Sequence, residues 1–251
     1  MARMADRTLP PLPEPDPVSS ASIRRALAQN LGADSLLGVR SVPIPSARPG
    51  RKGKEKRLKV LDEEQVKSCT KCGLAKTRHK TVFGQGHGAA RLVFVGEAPG
   101  ADEDRQGLAF VGRAGKLLTD MIHAMGLTRE EVFICNVLKC RPPNNREPAP
   151  DEIRSCSPYL MEQLSIIEPE VIVTLGAPAT RLLLNTNDPI GRLRGRFHEF
   201  YLSDQPGESA AIPLMPTYHP AYLLRSPGEK KKTWADLKMV LAHLGLPVPA
   251  R

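Results

Sequence analysis

The stretch Arg91-Leu-Val-Phe-Val-Gly-Glu-Ala-Pro-Gly100 decides the fold: a β-branched and aromatic run ending at Val95 breaks at once into a turn rich in glycine and proline. Strands buried on both faces of a parallel sheet read this way. Val132-Phe-Ile-Cys135 and Glu170-Val-Ile-Val-Thr-Leu175 repeat the pattern. Helical spacing fills the intervals. Gly115 to Met125 puts Leu117, Leu118, Met121, Ile122 and Met125 on one face, and Asp151 to Ile167, after Pro150, does the same with Ile153, Tyr159, Leu160 and Leu164. A last helix is expected from about Lys231 to Leu244. Strands alternating with helices predict an α/β fold, a three-layer α/β/α sandwich with a mostly parallel central sheet, whose crevice lies at the carboxyl ends of the strands.

Outward from this core the texture changes. Residues 1–60 crowd Pro10, Pro11, Pro13, Pro15 and Pro17 together and end in a basic run of Arg51, Lys52, Lys54, Lys56, Arg57 and Lys59. This reads as a disordered, solvated tail, with one short helix expected from Ser22 to Asn30, ahead of a single domain over residues 61–251. The tail carries 12 Lys and Arg against 5 Asp and Glu, so most of the net charge of +9 lies outside the folded part and says little about it. No stretch approaches the roughly 20 apolar residues of a membrane span, and no secretory signal opens the chain, so a cytoplasmic protein without a membrane partner is expected.

Five cysteines outside a secretory context point to free thiols or metal ligands rather than disulfides. Cys69-Thr-Lys-Cys72 lets two thiolates converge, and Cys140 and Cys156 flank the loop Arg141-Pro-Pro-Asn-Asn-Arg146, which is suited to wrapping a metal. Zinc ribbons prefer a second CxxC knuckle, whereas iron–sulfur clusters accept looser spacing, which favours the cluster. Cys135 ends an apolar run and is expected to be a buried structural thiol.

Further candidates cluster at strand ends. Glu97, in the Gly96-Glu-Ala-Pro-Gly100 turn, can orient water or a polar base edge, or simply cap a helix; Asp102-Glu-Asp104 follows it. Phe110, in Gly107-Leu-Ala-Phe-Val-Gly112, is either core or a ring on which a base stacks. Asn136, one residue past a strand, offers a donor and an acceptor to a base edge, or forms a turn. His219, in Pro216-Thr-Tyr-His-Pro-Ala-Tyr-Leu-Leu-Arg225, is fixed in an extended turn at the head of a loop whose Arg225 can hold a phosphate.

In this order the elements resemble the family 4 uracil-DNA glycosylases, over roughly Leu61 to Leu246. The matches are Cys69, Cys72, Cys140 and Cys156, the Gly-Glu-Ala-Pro-Gly turn with Glu103, Ala-Phe-Val-Gly, Cys-Asn-Val-Leu-Lys-Cys-Arg-Pro-Pro and Tyr-His-Pro-Ala. The resemblance implies a monomeric, base-flipping glycosylase acting on uracil-containing DNA, with a structural [4Fe–4S] cluster on the four cysteines. It further implies that Phe110 stacks on the extruded uracil and Asn136 reads its edge. His219 donates to a uracil oxygen, Glu97 with Ala98 shapes the pocket, and Glu97 and Glu103 are the catalytic carboxylates. A sister branch crosslinks to DNA through a histidine near the third cysteine, but no histidine lies between Cys140 and Cys156. A non-enzymatic iron–sulfur module that binds nucleic acid is the remaining alternative.

Overall fold

The computed structural model describes residues 51–202 and 210–249. Its strands are β1 (Gln85–Gly86), β2 (Leu92–Gly96), β3 (Phe133–Asn136), β4 (Val171–Leu175), β5 (His198–Phe200) and β6 (Ile212–Thr217). They form one sheet in the order β1-β3-β2-β4-β6-β5. The four inner strands are parallel, and the short edge strands β1 and β5 pair antiparallel. The helices are α1 (Arg51–Val60), α2 (Ala101–Gln106), α3 (Arg113–Ala124), α4 (Pro150–Ile167), α5 (Ala177–Leu184), α6 (Ile190–Leu193), α7 (Pro220–Arg225) and α8 (Lys230–His243).

Alternation along the strands builds two cores. Val93 and Val95 of β2 join Phe133, Leu160 and Leu164 on one face, while Leu92 and Phe94 join Leu118, Ile122, Leu237 and Leu241 on the other. Each such side chain, fully buried, contributes about 1.5–3 kcal/mol of hydrophobic stabilisation. This is the expected sandwich, with α4 on one side and α3 and α8 on the other. Leaving β2, the chain turns one way to β3 and later reaches β4 on the opposite side, so the loops beyond the strand ends diverge and open a crevice.

The basic run departs from expectation. Instead of a solvated linker it forms α1, because Leu58 and Leu61, three residues apart, are buried on one face. Lys54 extends its stem and donates from Nζ to Ile167 O at 2.8 Å and to Glu168 Oε2 at 2.9 Å, satisfying a carbonyl at the end of α4. Residues 51–60, expected within the tail, are therefore helical. The helix expected over Ser22–Asn30 and the proline cluster lie outside the described residues. The segment after His219, expected as a loop, is also helical. His219 (φ −67°, ψ 137°) is extended as expected, but it caps α7, whose first residue is Pro220.

Candidate active site

A cleft of about 440 Å³ opens at the carboxyl ends of β2, β3 and β6, and Glu97, Ala98, Glu103, Phe110, Asn136 and His219 all line it. The register explains how they meet. Gly96 pairs with Asn136 across the parallel ladder, so Glu97 leaves β2 beside the amide that ends β3. The ladder continues, with Val137 N donating to Gly96 O at 2.9 Å and Leu138 N to Glu97 O at 3.0 Å. Asn136 is therefore part of the strand rather than beyond it. Its side chain is buried, and Oδ1 has no hydrogen-bond partner among the described residues, an expensive condition unless a ligand supplies the donor. Only glycine fits at position 96, because a Cβ there would overlap Asn136 Oδ1 and lie 2.5 Å from Phe110 Cζ.

The two glutamates are not equivalent. Glu103 accepts from Gly100 N at 3.1 Å through Oε2, and from Val111 N at 2.9 Å and Gly112 N at 2.8 Å through Oε1. Its lone pairs are thus spent tying the turn after β2 to the Phe110 loop. Glu97 has no such partners among the described residues, and burial, reinforced by the negative charge of Glu147, raises its pKa above the ordinary carboxylate range. The flanking acids also have local duties. Asp102 pairs with Arg105, while buried Asp104 accepts from His79 N at 3.0 Å and holds the His79 ring at 2.7 Å.

His219 faces Phe110 with ring centroids 5.8 Å apart. Its Nδ1 accepts from Ala221 N at 3.1 Å, which leaves Nε2 to carry the proton of the neutral ring. Desolvation, then the positive charge of Arg225, pushes the pKa down to about 4, so the ring is neutral near pH 7. Two contacts steady the approach to it. Gly176 (φ +89°) has room for no side chain, since a Cβ would come 3.0 Å from His219 Cβ. Thr217 Oγ1 donates to buried Asp236 at 2.6 Å, and Arg194, ion-paired with Asp236, lies 5.3 Å over the Tyr218 ring. Arg225 ends α7 and is exposed.

Cys69, Cys72, Cys140 and Cys156 line a second cavity together, with Tyr159 and Lys139. Lys139 N donates to Cys156 Sγ at 3.2 Å and Arg78 Nη1 to Cys140 Sγ at 3.4 Å. Burial lifts the Cys140 thiol to about 11, so a thiolate there calls for a positive partner. Among the described residues no three His, Cys, Asp or Glu side chains converge on a single-ion position. Four sulfurs lining one cavity are soft donors of the kind that zinc and iron–sulfur clusters take. Cys135 is fully buried in the core. In the loop expected to wrap a metal, Pro142, Asn145 and Arg146 wall the cleft at Asn136.

Sequence reasoning missed Arg129 and Lys139. Lys139 is buried and donates from Nζ to Asn136 O at 2.7 Å and to Gln163 Oε1 at 2.5 Å. Neither residue carries a local signal, since both act on partners that only the tertiary fold or a turn brings near.

Residues 83–238 match the family model of the Uracil DNA glycosylase superfamily. The chain is 45% identical over 189 residues to a type-4 uracil-DNA glycosylase of Archaeoglobus fulgidus, covering 73% of this chain and 92% of that protein. It is likewise 45% identical over 183 residues to one of Sulfurisphaera tokodaii, covering 71% and 81% respectively, and 44% identical over 185 residues to one of Saccharolobus solfataricus, covering 72% and 83%. The chain belongs to the uracil DNA glycosylase superfamily. None of the described helices is long and apolar enough to cross a membrane.

Proposed function

We propose that this protein hydrolyses the N-glycosidic bond of deoxyuridine in DNA, releasing uracil and leaving an abasic site. The observation that carries the reading is the buried Oδ1 of Asn136, unpartnered among the described residues, in a cleft that also holds an aromatic ring and a neutral histidine donor. A uracil flipped from the duplex stacks on Phe110 and gives its N3–H to Asn136 Oδ1, while its O4 accepts from the Asn136 amide. Cleavage leaves charge on the base and an oxocarbenium-like sugar. His219 donates from Nε2 to the uracil oxygen as that charge develops, and a preorganised donor of this kind lowers the barrier by about 2.7–4 kcal/mol.

Glu97 is the carboxylate still free to face the sugar cation or the attacking water, and with Ala98 it shapes the pocket wall. Glu103 acts through the loops it ties. Arg225, exposed at the end of α7, holds a DNA phosphate. Cys69, Cys72, Cys140 and Cys156 would hold a [4Fe–4S] cluster, which when bound supplies a covalent tie between the Cys69–Cys72 loop, the segment after Asn136 and α4. Incubation with a uracil-containing oligonucleotide followed by alkali tests the reading: strand breakage at uracil is expected, and an intact strand or a covalent adduct overturns it.

A further inference from the structure

Phe110 has a left-handed backbone (φ +53°) although it carries a bulky side chain, a conformation that costs of order 1–3 kcal/mol and persists only where surroundings enforce it. Its surroundings fall into two halves. On the amide side, the Glu103 carboxylate holds the next two N–H groups. On the carbonyl side, Arg129 Nη2 donates to Ala109 O at 2.7 Å and Nη1 to Phe110 O at 3.2 Å, with Nη1 also 3.1 Å from Thr119 Oγ1. The first turn of α3 closes the remaining gap, because a Cβ on Gly115 would collide with the Phe110 carbonyl.

Arg129 stands apart from the cleft in the loop between α3 and β3, does not line it, and makes no ion pair among the described residues. Its guanidinium is half-buried, and desolvation lowers its pKa. A desolvated cation given over to two successive carbonyls is poorly explained as a surface charge; it is well explained as a brace for the one strained residue those carbonyls flank. We infer that Arg129 is a positioning residue for base stacking: it locks Phe110 in the left-handed conformation that aims the ring into the cleft against Gly96 and His219. Lysine cannot replace it, since a single ammonium lacks the planar fork that spans both oxygens.

The inference rests on the reading that Phe110 stacks on the base, and a double-mutant cycle separates the two. Excision of uracil from an oligonucleotide is measured for wild type, R129M, R129K, F110G and the F110G/R129M and F110G/R129K pairs, with melting temperatures on the same preparations. Glycine removes the ring and needs no enforcement at positive φ. R129M is expected to lower kcat/KM by about 10- to 100-fold, since displacement of a reacting partner by about 1 Å costs about that much, with R129K intermediate and folded even if R129M is not. In the F110G background the same substitutions should change kcat/KM less than about twofold. Equal losses in both backgrounds, or wild-type kcat/KM in R129K and R129M, would overturn the assignment. Wild-type excision by F110G would instead refute stacking itself.

Discussion

Asn136 and Phe110 reach the same cleft by opposite routes. Asn136 is the last residue of a central strand, fixed by its pairing with Gly96, by the ladder bonds beyond it and by Lys139 on its carbonyl. Phe110 sits in a loop with strained backbone, fixed by Glu103 on one side and Arg129 on the other. The first placement follows from regular structure, and its cost lies in the side chain, whose buried Oδ1 has no partner among the described residues. The second exists only because distant side chains enforce it. The residue proposed to read the base thus rests on a central strand, and the residue proposed to stack on it rests on a loop held by side chains.

Gly96 is where the two routes touch, so Gly96→Ala is the largest expected perturbation. The new Cβ would overlap Asn136 Oδ1 and press on Phe110 Cζ from 2.5 Å, displacing reader and platform together. Uracil excision should fall by about 10²-fold or more, because misplacement by about 1 Å suffices for that loss. A folded variant with near wild-type kcat/KM would mean that at least one of the two groups is idle in catalysis.

The same contrast governs what the sequence disclosed. Strands β2, β3 and β4 were legible as short apolar runs, and α3, α4 and α8 as periodic faces, because burial imposes those patterns locally. Glu97 and Asn136 stood out with them as polar residues just past strands, His219 as the head of a turn and Phe110 as a ring on a glycine-bounded loop. Strand β5 and helix α5 escaped, being short segments without a strong period, and the lysine-rich α1 read as linker because its apolar face consists of few residues. The division of labour between Glu97 and Glu103, and the whole role of Arg129, depends on which amides and carbonyls the fold brings within 3 Å; no residue pattern records that.

Asn136→Asp tests the strand-borne half alone. The substitution removes the donor to uracil O4 and places an acceptor opposite it, and a good bidentate contact is worth about 1–3 kcal/mol of discrimination. Uracil excision should drop by up to about 10²-fold while cytosine excision, whose N4 is a donor, becomes measurable. Rates on both bases, with a melting curve, decide it: an unchanged uracil-to-cytosine ratio in a folded variant breaks the assignment.

Glu103→Gln probes the loop-borne half and should act less severely, by roughly tenfold in kcat/KM, because one oxygen still accepts while the amide group faces N–H donors. It should also lower stability by about 1.5–3 kcal/mol, the worth of hydrogen bonds to a charged group. Glu97→Gln should do the reverse, reducing kcat with little change in melting temperature, since Glu97 makes no comparable bonds among the described residues. Identical stability losses in both variants would erase the distinction between a tying and a reacting carboxylate.

His219 offers the smallest effect and the third kind of placement, a strand-end residue whose role depends on its proton. In the folded protein its pKa is about 4, against about 6.5 in an unfolded chain. Between those values the unfolded state binds a proton that the native state excludes, so stability rises as pH climbs through the window and levels off above it. Protonating Nδ1 would also cost the bond from Ala221 N. His219→Asn removes the titration but keeps a good helix cap, so the variant isolates the charge from the fold. On lowering the pH from about 6.5 towards 4, wild type should lose melting temperature relative to His219→Asn, by no more than the equivalent of about 3 kcal/mol and by less insofar as the half-buried ring is solvated. Because the ring stays neutral above that window, wild-type excision should show no step attributable to His219 between about pH 5.5 and pH 8. Melting curves for the two proteins that stay parallel across the acid range would show that His219 titrates normally, and the neutral Nε2 donor would lose its physical basis.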